Sequence, residues 1–331
     1  MPKGYRHLTY IQRCQIYAFL KSKNMNQKAI AKELGVSQGT ISREIARNSG
    51  SKGYRYKQAN EKSIDRRHKI SAAPKKMKPD ITLFVEQKIC NQQWSPEQIS
   101  GYMKRNMKIA VSHECIYQYI LKNKKNNPGL RKGLRRSGKK YNKRNNKLAG
   151  RGLIPNRVYI KERPAIVANK ERIGDFEIDT IIGANHKGAI VTIVERKTML
   201  TRLQLISQKT ANKASDAIIK LLKPFKQHVH TITSDNGKEF AQHEKIALEL
   251  NAKMFFATPY HSWERGLNEN TNGLIRQYFS KKCDFSTITQ EQVQYVEYLL
   301  NSRPRKSLNF KSPSEVFYRS TGINVFYALQ T

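Results

Sequence analysis

Cysteine is scarce and scattered: Cys14, Cys90, Cys115 and Cys283 are the only four in 331 residues, and no two form a CxxC pair. That spacing indicates neither a disulfide framework nor a zinc site, and it fits small buried hydrophobes in a reducing compartment. Long apolar runs are missing as well. No stretch can span a bilayer and no charged-then-apolar signal segment opens the sequence, so a soluble cytoplasmic protein with no membrane partner is expected. Acid is the third shortage. Asp and Glu number 25 against 62 Lys and Arg, which leaves a formal charge of +37. This exceeds what solubility needs and has the sign that attracts a polyanion, so nucleic acid is the leading partner. With 38% hydrophobic residues the chain can still bury real cores, and its length suits two or three domains.

The charge is uneven. Residues 1–150 carry 35 Lys/Arg and 8 Asp/Glu, a net +27, whereas residues 151–331 carry 27 and 17, a net +10. Binding is therefore expected mainly in the first half. Within it, residues 8–23 begin with Thr9 and Gln12 in capping-box spacing, and Tyr10, Cys14, Tyr17 and Ala18 recur at helical intervals. In the following segment Ile30, Ala31 and Leu34 make a short apolar face, Gly35 can turn the chain, and Ser37 can cap a second helix that carries Ile41 and Ile45 inward. This pattern predicts a helix-turn-helix within a DNA-binding domain of residues 1–60. Its second helix would turn Gln38, Thr40, Ser42, Arg43 and Arg47 outward, short polar and cationic groups suited to base edges and phosphates in a major groove.

A second unit of similar shape is expected over 75–121. Ser95-Pro96-Glu97-Gln98 makes a capped helix start, and Ser112 can cap another helix bearing Ile116 and Ile120, although a plain helical core reads equally well. Residues 122–147 hold twelve Lys/Arg and no acid, too polar to pack a core. A basic linker lying along phosphates is expected over 122–170.

From 171 to the end the pattern changes to strands alternating with helices. DFEIDTII, AIVTIVE and TRLQLI read as three strands, followed by a helix near 214–225, a strand ending in SDNG, a helix over 243–250, a strand near 252–257 and a helix from Asn268 to Phe279. This order predicts an α/β layer fold with a mixed sheet. Asp179 lies mid-strand, Asp235 where a strand ends against Asn236-Gly237, and Glu269 on a helix. Each alone has a structural reading, as a strand acid, a turn former or a first-turn helix charge. Together they offer oxygen ligands from three elements, which is what a pair of hard divalent cations needs to act on the attacking and leaving oxygens of a phosphodiester. Asp175, Glu177 and Glu239 are possible substitutes, and Glu177 shares a strand face with Asp179 by period-two alternation.

The segments GDFEIDTIIG, TSDNGKEF, PYHSWERGLNENTNGLIRQYF and NSRPRKSL closely resemble the DDE transposases of the IS30 insertion-sequence family. The resemblance runs from about residue 26 to 318, and it implies an RNase H-like catalytic domain preceded by an all-α helix-turn-helix region. It also implies that Asp179, Asp235 and Glu269 are the acidic triad, holding two Mg²⁺ or Mn²⁺ ions, with 33 residues between the last two acids. The implied activity is strand cleavage at terminal inverted repeats followed by strand transfer into target DNA. The implied setting is a homo-oligomer on double-stranded DNA in the bacterial nucleoid. His261, Trp263 and Arg265, just before the Glu269 helix, could meet a scissile phosphate or a splayed base, and Arg276 two turns later could neutralise backbone charge. Packing is the alternative for Trp263.

Three rivals remain. A catalytically silent helix-turn-helix regulator would not need the three acids together. A nuclease for RNA–DNA hybrids would share the catalytic layer but would have little use for a helix shaped to the wide major groove. A tyrosine recombinase would not need a metal-binding acid set.

Overall fold

The structure, a computed structural model, describes residues 7–22, 25–72, 76–135, 154–259 and 261–325. The middle of the predicted basic linker, 136–153, lies outside the described residues. The chain divides into two compact units, Met1–Lys78 and Pro79–Thr331. All four cysteines are free thiols. Among the described residues no helix is long and apolar enough to cross a membrane.

The first unit is all helical: α1 Tyr10–Lys21, α2 Gln27–Glu33, α3 Gln38–Asn48 and α4 Tyr56–Ala72. Thr9 and Gln12 close a reciprocal capping box on α1, with the Gln12 N–H donating to Thr9 Oγ1 at 3.2 Å and the Thr9 N–H donating to Gln12 Oε1 at 2.9 Å. Asn26 caps α2 and Ser37 caps α3. Between those two helices Gly35 takes φ +62°, a left-handed backbone that glycine adopts without a Cβ penalty. Ile16, Ile30, Ala31, Ile41 and Ala59 form the core. Sequence periodicity did not reveal the fourth helix, nor that buried Arg13 would donate to Glu44 of α3 at 2.8 Å and to Ser63 of α4 at 3.0 Å.

The second unit begins with α5 Pro79–Cys90, α6 Pro96–Tyr102, a π-helical turn Met103–Met107, α7 His113–Lys122 and α8 Pro128–Lys132. Ser95 and Gln98 cap α6 and Ser112 caps α7, burying Ile99, Ile116 and Ile120. After a short helix α9, Ala165–Ala168, come the strands β1 Asp175–Ile182, β2 Ala189–Glu195 and β3 Thr201–Ile206, helix α10 Ala211–Leu222, strand β4 Thr231–Ser234, helix α11 His243–Leu250, strand β5 Lys253–Phe256, and helices α12 Gly266–Tyr278, α13 Gln290–Ser302 and α14 Pro313–Thr321.

The sheet order is β3-β2-β1-β4-β5. The first three strands are antiparallel, and β4 and β5 run parallel to β1. This mixed sheet with helices on both faces is the α/β layer fold that the order of strands and helices predicted. One face packs Phe176, Ile178 and Ile232 with Ile218 and Leu222 of α10 and Ile246 of α11. The other packs Ile181, Ile190 and Leu203 against Leu274, Ile275 and Val296.

The edge strand β3 would leave backbone groups unpaired, and α13 covers them with side chains instead of a strand. The Leu203 N–H donates to Glu297 at 2.6 Å and the Leu205 N–H to Gln290 at 2.8 Å. Asn301 accepts from the Thr201 N–H at 2.9 Å and returns a bond to the Thr201 carbonyl at 2.7 Å. The first residue of the NSRPRKSL segment is thus a mimic of strand pairing.

Candidate active site

The site follows from strand register. In the parallel pair, Glu177 lies opposite Thr233. Two residues further along both chains, Asp179 and Asp235 become neighbours, Asp235 standing immediately after the last residue of β4. Arg265 occupies the space between them. Its Nη1 is 3.5 Å from Asp179 Oδ2 and its Nη2 is 3.5 Å from Asp235 Oδ2. The same Nη1 donates to the Ile178 carbonyl at 2.9 Å, while the buried Nε has no partner.

Backbone and amide donors orient the two carboxylates. Asp179 accepts from the Thr180 N–H at 2.8 Å and from Asn272 Nδ2 at 3.0 Å, and Asn272 in turn accepts from the Thr192 hydroxyl at 3.1 Å. Asp235 accepts from the Gly237 N–H at 2.9 Å, an Asx turn that explains the Asp-Asn-Gly order. Asn236 ties the turn down by donating to the Ala257 carbonyl at 2.7 Å. Burial pushes the Asp179 carboxyl above its ordinary range and the nearby Asp235 charge adds to this, while Arg265 opposes it.

Glu269 stands in the first turn of α12, where a carboxylate suits the helix dipole. Asn268, Asn272 and Arg276 are spaced at fours along this helix and all reach β1: the Asn268 N–H donates to Glu177 at 3.0 Å, Asn272 to Asp179, and Arg276 to the Ile182 carbonyl at 2.8 Å. Glu269 is three residues before Asn272 and flanks that face, with an exposed side chain. The structure therefore brings Asp179 and Asp235 together around one cation and leaves Glu269 at the rim. Among the described residues no three His, Cys, Asp or Glu side chains form a metal-holding group.

The other acids of the region are engaged elsewhere. Asp175 takes both Arg172 Nε and Nη2 at 3.0 Å and the Thr231 hydroxyl at 2.7 Å. Glu177 pairs with buried Arg196. Glu239 is buried on the Thr180 side of β1, accepting from the Thr180 hydroxyl at 2.8 Å and lying 2.7 Å from Lys209 Nζ.

Among the residues expected near DNA, Trp263 is 69% exposed and makes an edge contact with His261, with ring centres 4.3 Å apart. Arg276 is half-buried and its guanidinium lies 5.5 Å from the Phe285 ring centre. Arg265 is turned inward, at 9% exposure. In the first unit, Gln38, Ser42, Arg43 and Arg47 are exposed and Thr40 is half-exposed on α3. With Arg66 and Arg67 of α4, Thr40, Arg43 and Arg47 line a basic cleft of about 230 Å³.

Sequence reasoning missed Asn272 and the seat of Arg265 between the aspartates. Asn272 had a usable signal, since it follows Glu269 by one helical turn in NENTNG. Arg265 had none, because only the fold closes it onto residues 86 and 30 positions earlier.

A helix-turn-helix domain model matches residues 4–48. The chain is 46% identical over 313 residues to the transposase for insertion sequence element IS4351 of Bacteroides fragilis, covering 94% of this chain and 95% of that one. It is 34% identical to the transposase InsI for insertion sequence element IS30A of Escherichia coli (strain K12), covering 96% of this chain and 85% of the relative. Among solved structures, the catalytic core domain of BIV integrase aligns at 21% identity and a TM-score of 0.37, over 45% of this chain and 96% of that one. Similarity of this extent to IS4351 and IS30A transposases, from the first helices through the acidic site, means that the chain belongs to the IS30 family of insertion-sequence transposases.

Proposed function

We propose that the chain is the enzyme that cleaves and rejoins DNA for an insertion sequence, with Asp179, Asp235 and Glu269 as its catalytic, metal-holding carboxylates. In this reading α3 presents Gln38, Thr40, Ser42, Arg43 and Arg47 to the terminal inverted repeats, and the second helical pair and basic linker add phosphate contacts. One observation carries the reading. Two aspartates from adjacent parallel strands face a single cation, each 3.5 Å from it, beside the helix that bears Glu269.

The donor set suits Mg²⁺ or Mn²⁺, hard cations that take carboxylate oxygens, and a cation already lies between the two aspartates. When bound, a pair of such ions supplies Lewis acidity to the attacking and leaving oxygens of a phosphodiester. The chain's own part is to aim the ligands. The Thr180 and Gly237 N–H groups and the Asn272 amide each donate to one carboxylate oxygen and leave other lone pairs for a cation. Glu269, exposed in the first turn of α12, would supply the third carboxylate. A regulator that only binds DNA has no use for two aspartates crowded onto one cation, and near full-length similarity to transposases disfavours it further.

The test is a strand-cleavage assay on duplexes carrying the element's ends. Asp179→Asn, Asp235→Asn and Glu269→Gln should each lower cleavage by about a thousandfold or more while the duplex is still bound. Unchanged cleavage in any of the three removes that residue from the triad.

A further inference from the structure

We propose that Arg265 is a displaceable internal cation that holds the Asp179–Asp235 pair in the metal-free protein and competes with divalent metal for it. The inference rests on the metal-site reading above and adds a residue to it.

The geometry of Arg265 differs from that of the other arginine–carboxylate pairs among the described residues. Arg172 grips Asp175 with two hydrogen bonds of 3.0 Å, and Arg13 meets Glu44 at 2.8 Å. Arg265 stands 3.5 Å from each aspartate, beyond the ordinary N–H···O range, so it acts there as a charge and not as a hydrogen-bond donor. Its one hydrogen bond at this seat goes to a neutral carbonyl, that of Ile178, and its buried Nε–H has no partner. A guanidinium carries five donors, so this one is under-satisfied where it sits.

Charge points the same way. One guanidinium against two carboxylates leaves a net negative charge in a half-buried site, and a divalent ion would balance it. Arg265 and a metal ion ligated by both aspartates would compete for the same carboxylate oxygens, and like charges at that range repel. Metal loading must therefore move the guanidinium. Arg265 lies at the junction between the 3-10 turn Ser262–Arg265 and α12, so its side chain can leave without unwinding a helix interior.

The experiment is a Mn²⁺ titration of the full chain without DNA, reading free Mn²⁺ by electron paramagnetic resonance. Arg265→Gln removes the charge and keeps a polar N–H group at about the position of Nε. It should bind Mn²⁺ roughly tenfold more tightly than the unmodified protein, the scale expected for removing one partly screened unit charge. Arg265→Lys keeps the charge and should stay close to the unmodified protein. Unchanged or weaker Mn²⁺ binding by Arg265→Gln, at an unchanged melting temperature, overturns the proposal, and so does equal tightening by the lysine variant. If the glutamine variant melts early, Arg265→Met is titrated in its place and read by the same criteria. Asp179→Asn separates the two readings: its Mn²⁺ binding should be lost. If it binds like the unmodified protein, the metal site itself is wrong; if it loses binding while Arg265→Gln gains none, only the competing role of Arg265 falls.

Discussion

The two halves of strand β1 carry the same kind of residue under opposite conditions. At its start Asp175 and Glu177 are fully buried, and each is matched to an arginine at hydrogen-bond distance. Further along, Asp179 is only partly buried and shares one loosely held arginine with Asp235. Buried charges persist only when paired and hydrogen-bonded, so the first two acids serve the fold and have little capacity left for a ligand. The Asp179 carboxylate is held by donors at two points and by no close ion pair, and so remains available. Burial and pairing, and not residue type, separate a structural acid from a candidate catalytic one.

The sharpest way to break that comparison is to unpair the structural end. Arg196→Met should destabilise the protein by about 3–5 kcal/mol in chemical denaturation, because it strands the Glu177 charge in the interior. A loss below about 1 kcal/mol would mean that Glu177 is not held as the structure indicates.

At the candidate catalytic end, Asp179→Asn should leave stability at neutral pH within about 1 kcal/mol of the unmodified protein, on the stabilising side. Burial raises the Asp179 value above its unfolded one, so the native state gains stability as pH falls through the raised value and is penalised above it. An amide cannot charge and escapes the penalty. Melting curves of the two proteins at neutral pH check this, and a loss like that of Arg196→Met would erase the distinction between the two halves.

The smallest effect belongs to a pair with good geometry but little burial. Arg105 meets Glu315 of α14 at 2.6 and 3.1 Å, with both side chains 29% exposed. The bond from Arg105 holds the Glu315 carboxyl below its usual value of 4.5. Its contribution is therefore present above pH 4.5 and lost as pH falls through the depressed folded value. Glu315→Gln should cost about 0.2–1 kcal/mol at pH 7, with the difference closing in acid. A larger cost would show that geometry alone, without burial, can make such a pair strong.

Much of the local architecture was legible in the chain. Thr9 with Gln12, Ser37, Ser95 with Gln98, and Ser112 mark helix starts because their side chains satisfy orphan N–H groups within three residues. The strands showed as β-branched runs, and Asp-Asn-Gly marked the end of β4. Other features lay beyond local reading. Helix α4 has few apolar positions, and the covering of edge strand β3 by Gln290, Glu297 and Asn301 of α13 joins segments far apart in the chain. Gly174, which opens GDFEIDTIIG, takes φ +100° and packs so closely that a Cβ there would lie 1.7 Å from the His228 carbonyl oxygen, a need for glycine that sequence alone does not reveal.

By itself the sequence determined where helices and strands begin, which half carries the positive charge, and which acids were candidates, since these depend on residues a few positions apart. Only the tertiary structure decided that Asp175 and Glu177 are locked by arginines, that Glu269 stays at the rim, and that Arg265 sits between Asp179 and Asp235. The register of two parallel strands and the seating of one helix set those pairings, and both arise from burying apolar faces tens of residues apart.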